Sequence, residues 1–165
     1  MNSITQLNRK DFAELIASKI VQEKDRIKTQ YEVSKNKIGF FFVDDLLPAE
    51  ITTYIYSHFP SHEDMVLKKS LRENKFIAVQ MNQYASVLEE VIYAFQDERV
   101  VNLIKNICKI NDLQPDENLY AGGLSSMKQS QFLNPHLDNS HDNERNSWRV
   151  LNLLFYVTPN WEDSS

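Results

Sequence analysis

With 165 residues, 42% of them hydrophobic, the chain holds enough apolar material for one domain with a real core and too little for two. A formal net charge of -5 at pH 7, with no Lys/Arg cluster to relieve it, disfavours a nucleic-acid or anionic-membrane partner. Three glycines argue against flexible linkers and a phosphate-cradling loop, and a single cysteine allows no disulfide within the chain.

No export signal is expected, because "MNSITQLNRK" lacks an apolar stretch. No membrane span is expected either, since no window approaches the roughly 18 apolar residues one needs. These features together predict a soluble, cytoplasmic protein. In "NRKDFAELIASKIVQEKDRIKTQY", Asn8 suits a helix N-cap. Phe12, Leu15, Ile16, Ile20, Ile27 and Tyr31 then mark one face of a single long helix, which fills residues 1–36. Residues 37–165 are expected to form one domain. It opens with "KIGFFFVDD", a compact aromatic run that reads as a buried strand. In "LLPAEITTYIYSHFP", Pro48 suits a first helical position, and Ile51, Tyr54, Ile55 and His58 share a stripe that Pro60 ends.

"SHEDMVLKKSLRENK" is polar and predicts irregular structure, whereas "FIAVQM" predicts a strand. Two further helices are expected. The first, around 83–95, carries Val87, Leu88, Val91, Ile92 and Phe95, and the second, around 97–109, carries Val100, Val101, Ile104 and Ile107. Cys108 falls at an apolar position of the second and reads as a small buried hydrophobe rather than a nucleophile. Past "NDLQPDEN" the texture changes: "LYAGGLSSMKQSQFLNPHLD" and "WRVLNLLFYVTPNW" both read as strands, the second apolar on both faces and so buried. Helices first and strands last predict an α+β domain in which helices brace one side of a β structure.

The chemistry concentrates in "FLNPHLDNSHD". On a strand, His136 and Asp138 project the same way, offering one imidazole nitrogen and one carboxylate oxygen to a single divalent ion. A mixed imidazole–carboxylate set suits iron(II) in a two-His-one-carboxylate arrangement with open coordination positions. Along the following strand Val150, Asn152, Leu154 and Tyr156 share one face, and Arg149, Leu151, Leu153 and Phe155 the other. Asn152 and Tyr156 thus point together from an otherwise apolar strand. Other histidines are weaker ligand candidates. His141 sits in the polar loop "NSHDNERNS", and His58 and His62 flank Pro60, which breaks the helical face that a zinc pair needs.

"FLNPHLDNSHD" followed by "WRVLNLLFYVTPNW" resembles the metal-ligand strand and its successor in iron(II)/2-oxoglutarate-dependent oxygenases of the prolyl-hydroxylase-like group. "FFVDDLLPAEITTYIYSHFP" is similar to the segment that opens these proteins. The resemblance spans roughly 38 to 161 and is specific over about the last thirty of those positions. It implies N-terminal helices packed on a partial double-stranded β-helix, or jelly-roll, core. It further implies that His136 and Asp138 bind Fe(II), and that Arg149, Asn152, Tyr156 and Trp161 line the pocket for 2-oxoglutarate, the cosubstrate used with O2. Many members carry a Tyr on the strand before H-x-D, where this chain has Met127 nearby. The carboxylate ligand, Asp138, favours hydroxylation over halogenation, which needs that coordination position free. The family's second iron-binding His and its basic residue for 2-oxoglutarate follow the Trp. None of the four His residues lies beyond Trp161, so about half of the expected barrel is represented. Arg149 and Arg145 are the nearby cations, with Arg149 expected to face away from Asn152. Two readings follow: a hydroxylase acting on a small molecule or peptidyl side chain, or a non-catalytic assembly module completed by a second copy or another chain.

Overall fold

The computed structural model describes residues 6–120, 122–159 and 161. Helix α1, Arg9–Gln22, starts where its cap dictates. The Asn8 side chain accepts from the amides of Lys10 and Asp11, and the Asp11 carboxylate accepts from the Asn8 amide at 3.0 Å. The face so launched buries Phe12, Ala13, Ile16 and Ile20. The expected single helix is in fact two. At Glu23 the backbone leaves helical geometry (φ -92, ψ 6), and α2 resumes over Lys24–Ser34 with Ile27 buried. Lys19 and Arg26 both pair with the Glu23 carboxylate, spanning the break from either side.

"KIGFFFVDD" belongs to no strand of the sheet, which corrects the expectation of a buried strand. Its polar partners are side chains of α2. Gln30 accepts from the Phe42 amide at 3.0 Å and donates to the Phe42 carbonyl at 3.2 Å, and Ser34 Oγ serves the amide and carbonyl of Phe40. These two side chains stand where a neighbouring strand would be, so the alternation survives without a ladder. Phe41 and Val43 pack inward while Phe40 and Phe42 are each 58% exposed. Gly39 lies against the Tyr31 ring, which an added Cβ would approach to 2.7 Å. Helix α3, Ala49–Ser57, buries Ile51 and Ile55; Pro48 is its N-cap rather than its first helical residue, and His58 closes it.

The polar stretch expected to be irregular instead forms one strand of a hairpin. After a turn of 3-10 helix at His62–Asp64, β1 (Val66–Lys69) pairs antiparallel with β2 (Glu73–Ala78), Leu67 opposite Phe76. Every residue of β1 is exposed, so backbone pairing holds it and no apolar alternation betrays it in sequence. On the opposite edge of β2 lie β3 (Leu124–Ser126) and β4 (Phe132–Leu133), end to end and both antiparallel.

Helices α4 (Ser86–Ala94) and α5 (Glu98–Cys108) form within the expected ranges. Val87, Leu88 and Val91 of α4, and Val100 and Ile107 of α5, are buried with α1. The architecture is α+β, helices joined with one antiparallel sheet. Two strand expectations fail near the C-terminal end. His136 and Asp138 lie past β4 in irregular backbone, where Pro135 offers no amide for a ladder. Residues 149–157, expected as a buried strand, pair with no strand among the described residues. Val150, Leu153, Leu154 and Tyr156 are exposed; Val157 is buried, and Phe155 packs on Phe95 with centroids 5.4 Å apart. An apolar run buries both faces only when layers lie on each side; here Phe155 and Val157 meet the core, and Val150, Leu153, Leu154 and Tyr156 are left exposed.

Candidate metal centre

The H-x-D segment is held by the turn between β1 and β2. The Asn134 amide donates to the Arg72 carbonyl and its side-chain Nδ2 to the Leu71 carbonyl, each at 3.0 Å. Arg72 Nη2 donates in return to the Leu137 carbonyl at 3.0 Å, gripping the backbone between His136 and Asp138. Leu137 itself is 91% exposed, so polar bonds rather than burial fix its position.

His136 Nδ1 lies 2.7 Å from the Asn134 carbonyl. A carbonyl only accepts, so Nδ1 carries a proton, which leaves Nε2 free to face its neighbour as a lone pair or as a second N–H. Nε2 lies 3.2 Å from Asp138 Oδ1, an ion-pair distance when the ring carries both protons. With Nε2 unprotonated, two acceptors stand opposed, and a cation between them would relieve the opposition. Adjacent ligands of an octahedral ion with bonds of about 2.1 Å stand about 3 Å apart, so the spacing fits two neighbouring coordination positions. The other carboxylate oxygen, Oδ2, accepts from Asn152 Nδ2 at 2.5 Å.

Asn152 reaches Asp138 because the intervening chain folds back on itself. The Arg149 amide donates to the Ser140 carbonyl at 2.9 Å, His141 and Trp148 form an antiparallel bridge, and the Asp142 amide donates to the Ser147 carbonyl. Arg145, in left-handed geometry at φ 59, turns the loop, and the Asp142 carboxylate accepts from the Asn146 amide. An open groove of about 430 Å³ runs beside the ribbon, lined by residues that include Leu137, Asp138, Ser140, Arg149 and Asn152.

The structure therefore brings His136, Asp138 and Asn152 together and scatters the other site residues. Arg149 points its guanidinium to the Tyr120 carbonyl at 2.8 Å. Tyr156 is 82% exposed, and Met127, just past β3, and Trp161 are exposed as well. His141 stacks on Trp148, centroids 4.0 Å apart, with Nδ1 on Ser140 Oγ. His58 is a packing residue, as its stripe suggested: it stacks on Tyr54 and bonds that residue's carbonyl. His62 stacks on Phe76 and pairs with Ser126 Oγ at 2.9 Å. Among the described residues no group of three or more His, Cys, Asp or Glu side chains is placed to hold a metal ion. Sequence reasoning missed Arg72. It lies 65 residues from Leu137, in a stretch read as irregular, and no local signal joins the two.

No family model, curated protein or solved structure matches the chain.

Proposed function

We propose that the chain is an iron(II)/2-oxoglutarate-dependent oxygenase domain of hydroxylase type, with His136 and Asp138 as two of the metal's protein ligands. The supporting observation is the opposition of His136 Nε2 and Asp138 Oδ1 at 3.2 Å, the spacing of two adjacent ligands. In this reading the β1–β2–β3 sheet is part of a double-stranded β-helix, and the described residues supply two of the metal's protein ligands. Bound iron(II) with 2-oxoglutarate and O2 supplies oxidative decarboxylation to succinate and CO2, coupled to hydroxylation of a C–H bond.

The chain's residues hold and orient. His136 presents a fixed tautomer because the Asn134 carbonyl takes its Nδ1 proton. Asp138 contributes a negative charge and one free oxygen. Arg72 keeps the backbone between them from twisting. In this reading the open groove lined by Asp138 and Asn152 admits the cosubstrate, and the substrate class is a small molecule or peptidyl side chain acted on in the cytoplasm. Anaerobic addition of Fe(II) and then 2-oxoglutarate to the purified chain tests this. A visible metal-to-ligand charge-transfer band is expected, absent in Asp138→Ala. A folded chain that never develops the band contradicts the proposal.

A second reading, a non-catalytic assembly module completed by a second chain, is favoured by the C-terminal segment. Residues 150–156 expose Val150, Leu153, Leu154 and Tyr156 and make no backbone–backbone hydrogen bond to a described residue. Mass that rises with concentration, in a chain that binds no iron, would support this reading over the first.

A further inference from the structure

We infer that Asn152 is a positioning residue for the metal: its amide selects which oxygen of Asp138 faces His136. The inference rests on the metal reading above and reassigns a residue whose resemblance-implied place is in the cosubstrate pocket. A carboxylate only accepts hydrogen bonds, so the group 2.5 Å from Asp138 Oδ2 is the amide nitrogen of Asn152 and not its oxygen. That bond occupies Oδ2 and fixes the plane of the carboxylate. Oδ1 is left on the side of His136 Nε2, 3.2 Å away. The bond adds no charge, so the full negative charge of Asp138 stays available to the ion.

The need for such a bond follows from the surroundings. The Asp138 side chain is 42% exposed in backbone that belongs to no strand, so packing does little to fix its rotamer. A freely turning carboxylate offers either oxygen, or both, to solvent and metal alike. Asn152 removes that freedom, and the ribbon holds Asn152 in place through the bond from the Arg149 amide to the Ser140 carbonyl and the His141–Trp148 bridge. Hydrogen-bonding partners of metal ligands are commonly worth about 10- to 100-fold in metal affinity.

The two roles for Asn152 separate by what is lost. A residue that only contacts the cosubstrate leaves binding of the metal alone unchanged. A residue that orients the ligand weakens it before any cosubstrate is present. The experiment is an anaerobic titration of the full chain with Co(II) alone, following its visible ligand-field absorption, for the unaltered protein and for Asp138→Ala, Asn152→Leu and Asn152→Gln. Asn152 is exposed, so the variants are expected to fold, and circular dichroism checks it.

Asp138→Ala is expected to abolish the absorption. Asn152→Leu should weaken binding about tenfold and alter the band shape, and Asn152→Gln, which keeps the donor, should recover most of the loss. Asn152→Leu with the affinity and spectrum of the unaltered protein, while Asp138→Ala fails to bind, overturns the positioning role and leaves the metal site standing. Equal binding by Asp138→Ala removes the metal from this pair and any role for Asn152 with it.

Discussion

His136 and Asp138 are two residues apart in sequence, and what makes them a pair is the bond each makes on its far side. The Asn134 carbonyl holds the proton of His136, and Asn152 holds the second oxygen of Asp138. The pairing was legible in the letters H-x-D, but the strand thought to align it was not there. Hydrogen bonds to the β1–β2 turn do that work instead. Asn152 and Tyr156 were expected to point together; Asn152 turns to Asp138, while Tyr156 stands 82% exposed. Cys108, read as a small hydrophobe, is buried, and burial pushes its thiol up from 9.0 to about 11. Because the folded state holds the proton more tightly, this group's contribution to stability is complete below pH 9 and is lost as pH rises through about 11. Cys108→Ala should therefore flatten the fall in denaturant midpoint between those pH values, and an unchanged slope would contradict the assignment.

At the scale of elements, the helices were legible, and so in part were β2 in "FIAVQM" and β3 and β4 in "LYAGGLSSMKQSQFLNPHLD", whereas β1 and the pairing of the C-terminal run were not. Helices α4 and α5 declare themselves through apolar residues every three or four positions, and α1 through its Asn8 cap and the apolar face that follows. Strand β1 has no apolar face to declare, because all its residues are exposed. "KIGFFFVDD" has the alternation of a strand, yet its partners are the side chains of Gln30 and Ser34. Each miss has the same cause: a strand is defined by what it pairs with, and the partner lies far away in sequence. The β1–β2 turn shows what this hides. Ser70 Oγ accepts from the amides of Arg72 and Glu73, shaping the turn so that Arg72 reaches the Leu137 carbonyl. Arg72→Ala, at an exposed position, should change stability by less than about 0.5 kcal/mol. It should nevertheless weaken Fe(II) binding on the order of tenfold. Calorimetry on the variant measures both; equal loss of stability and metal affinity would show that the turn matters only for folding.

Across the whole molecule, the core and the candidate site occupy different parts of the chain. The buried apolar residues run from Phe12 to Cys108, and beyond them only Leu124 and Val157 are buried among the described residues. The ligand segment is thus assembled on polar bonds at the margin of a helix-braced sheet. That arrangement is compatible with an α+β class and explains why composition alone, which reports the core, said nothing about the site. No helix among the described residues is long and apolar enough to cross a membrane. Trp148, Val150, Leu153, Leu154 and Tyr156 leave an exposed apolar run, which the proposed double-stranded β-helix would cover. The central claim is that His136 and Asp138 together hold iron. It is tested most directly by the Fe(II) dissociation constant, measured anaerobically by calorimetry, for the unaltered chain and for His136→Ala and Asp138→Ala. Binding of one ion per chain, lost in both variants while the fold persists, is the predicted result; iron binding that survives either substitution unchanged would contradict it.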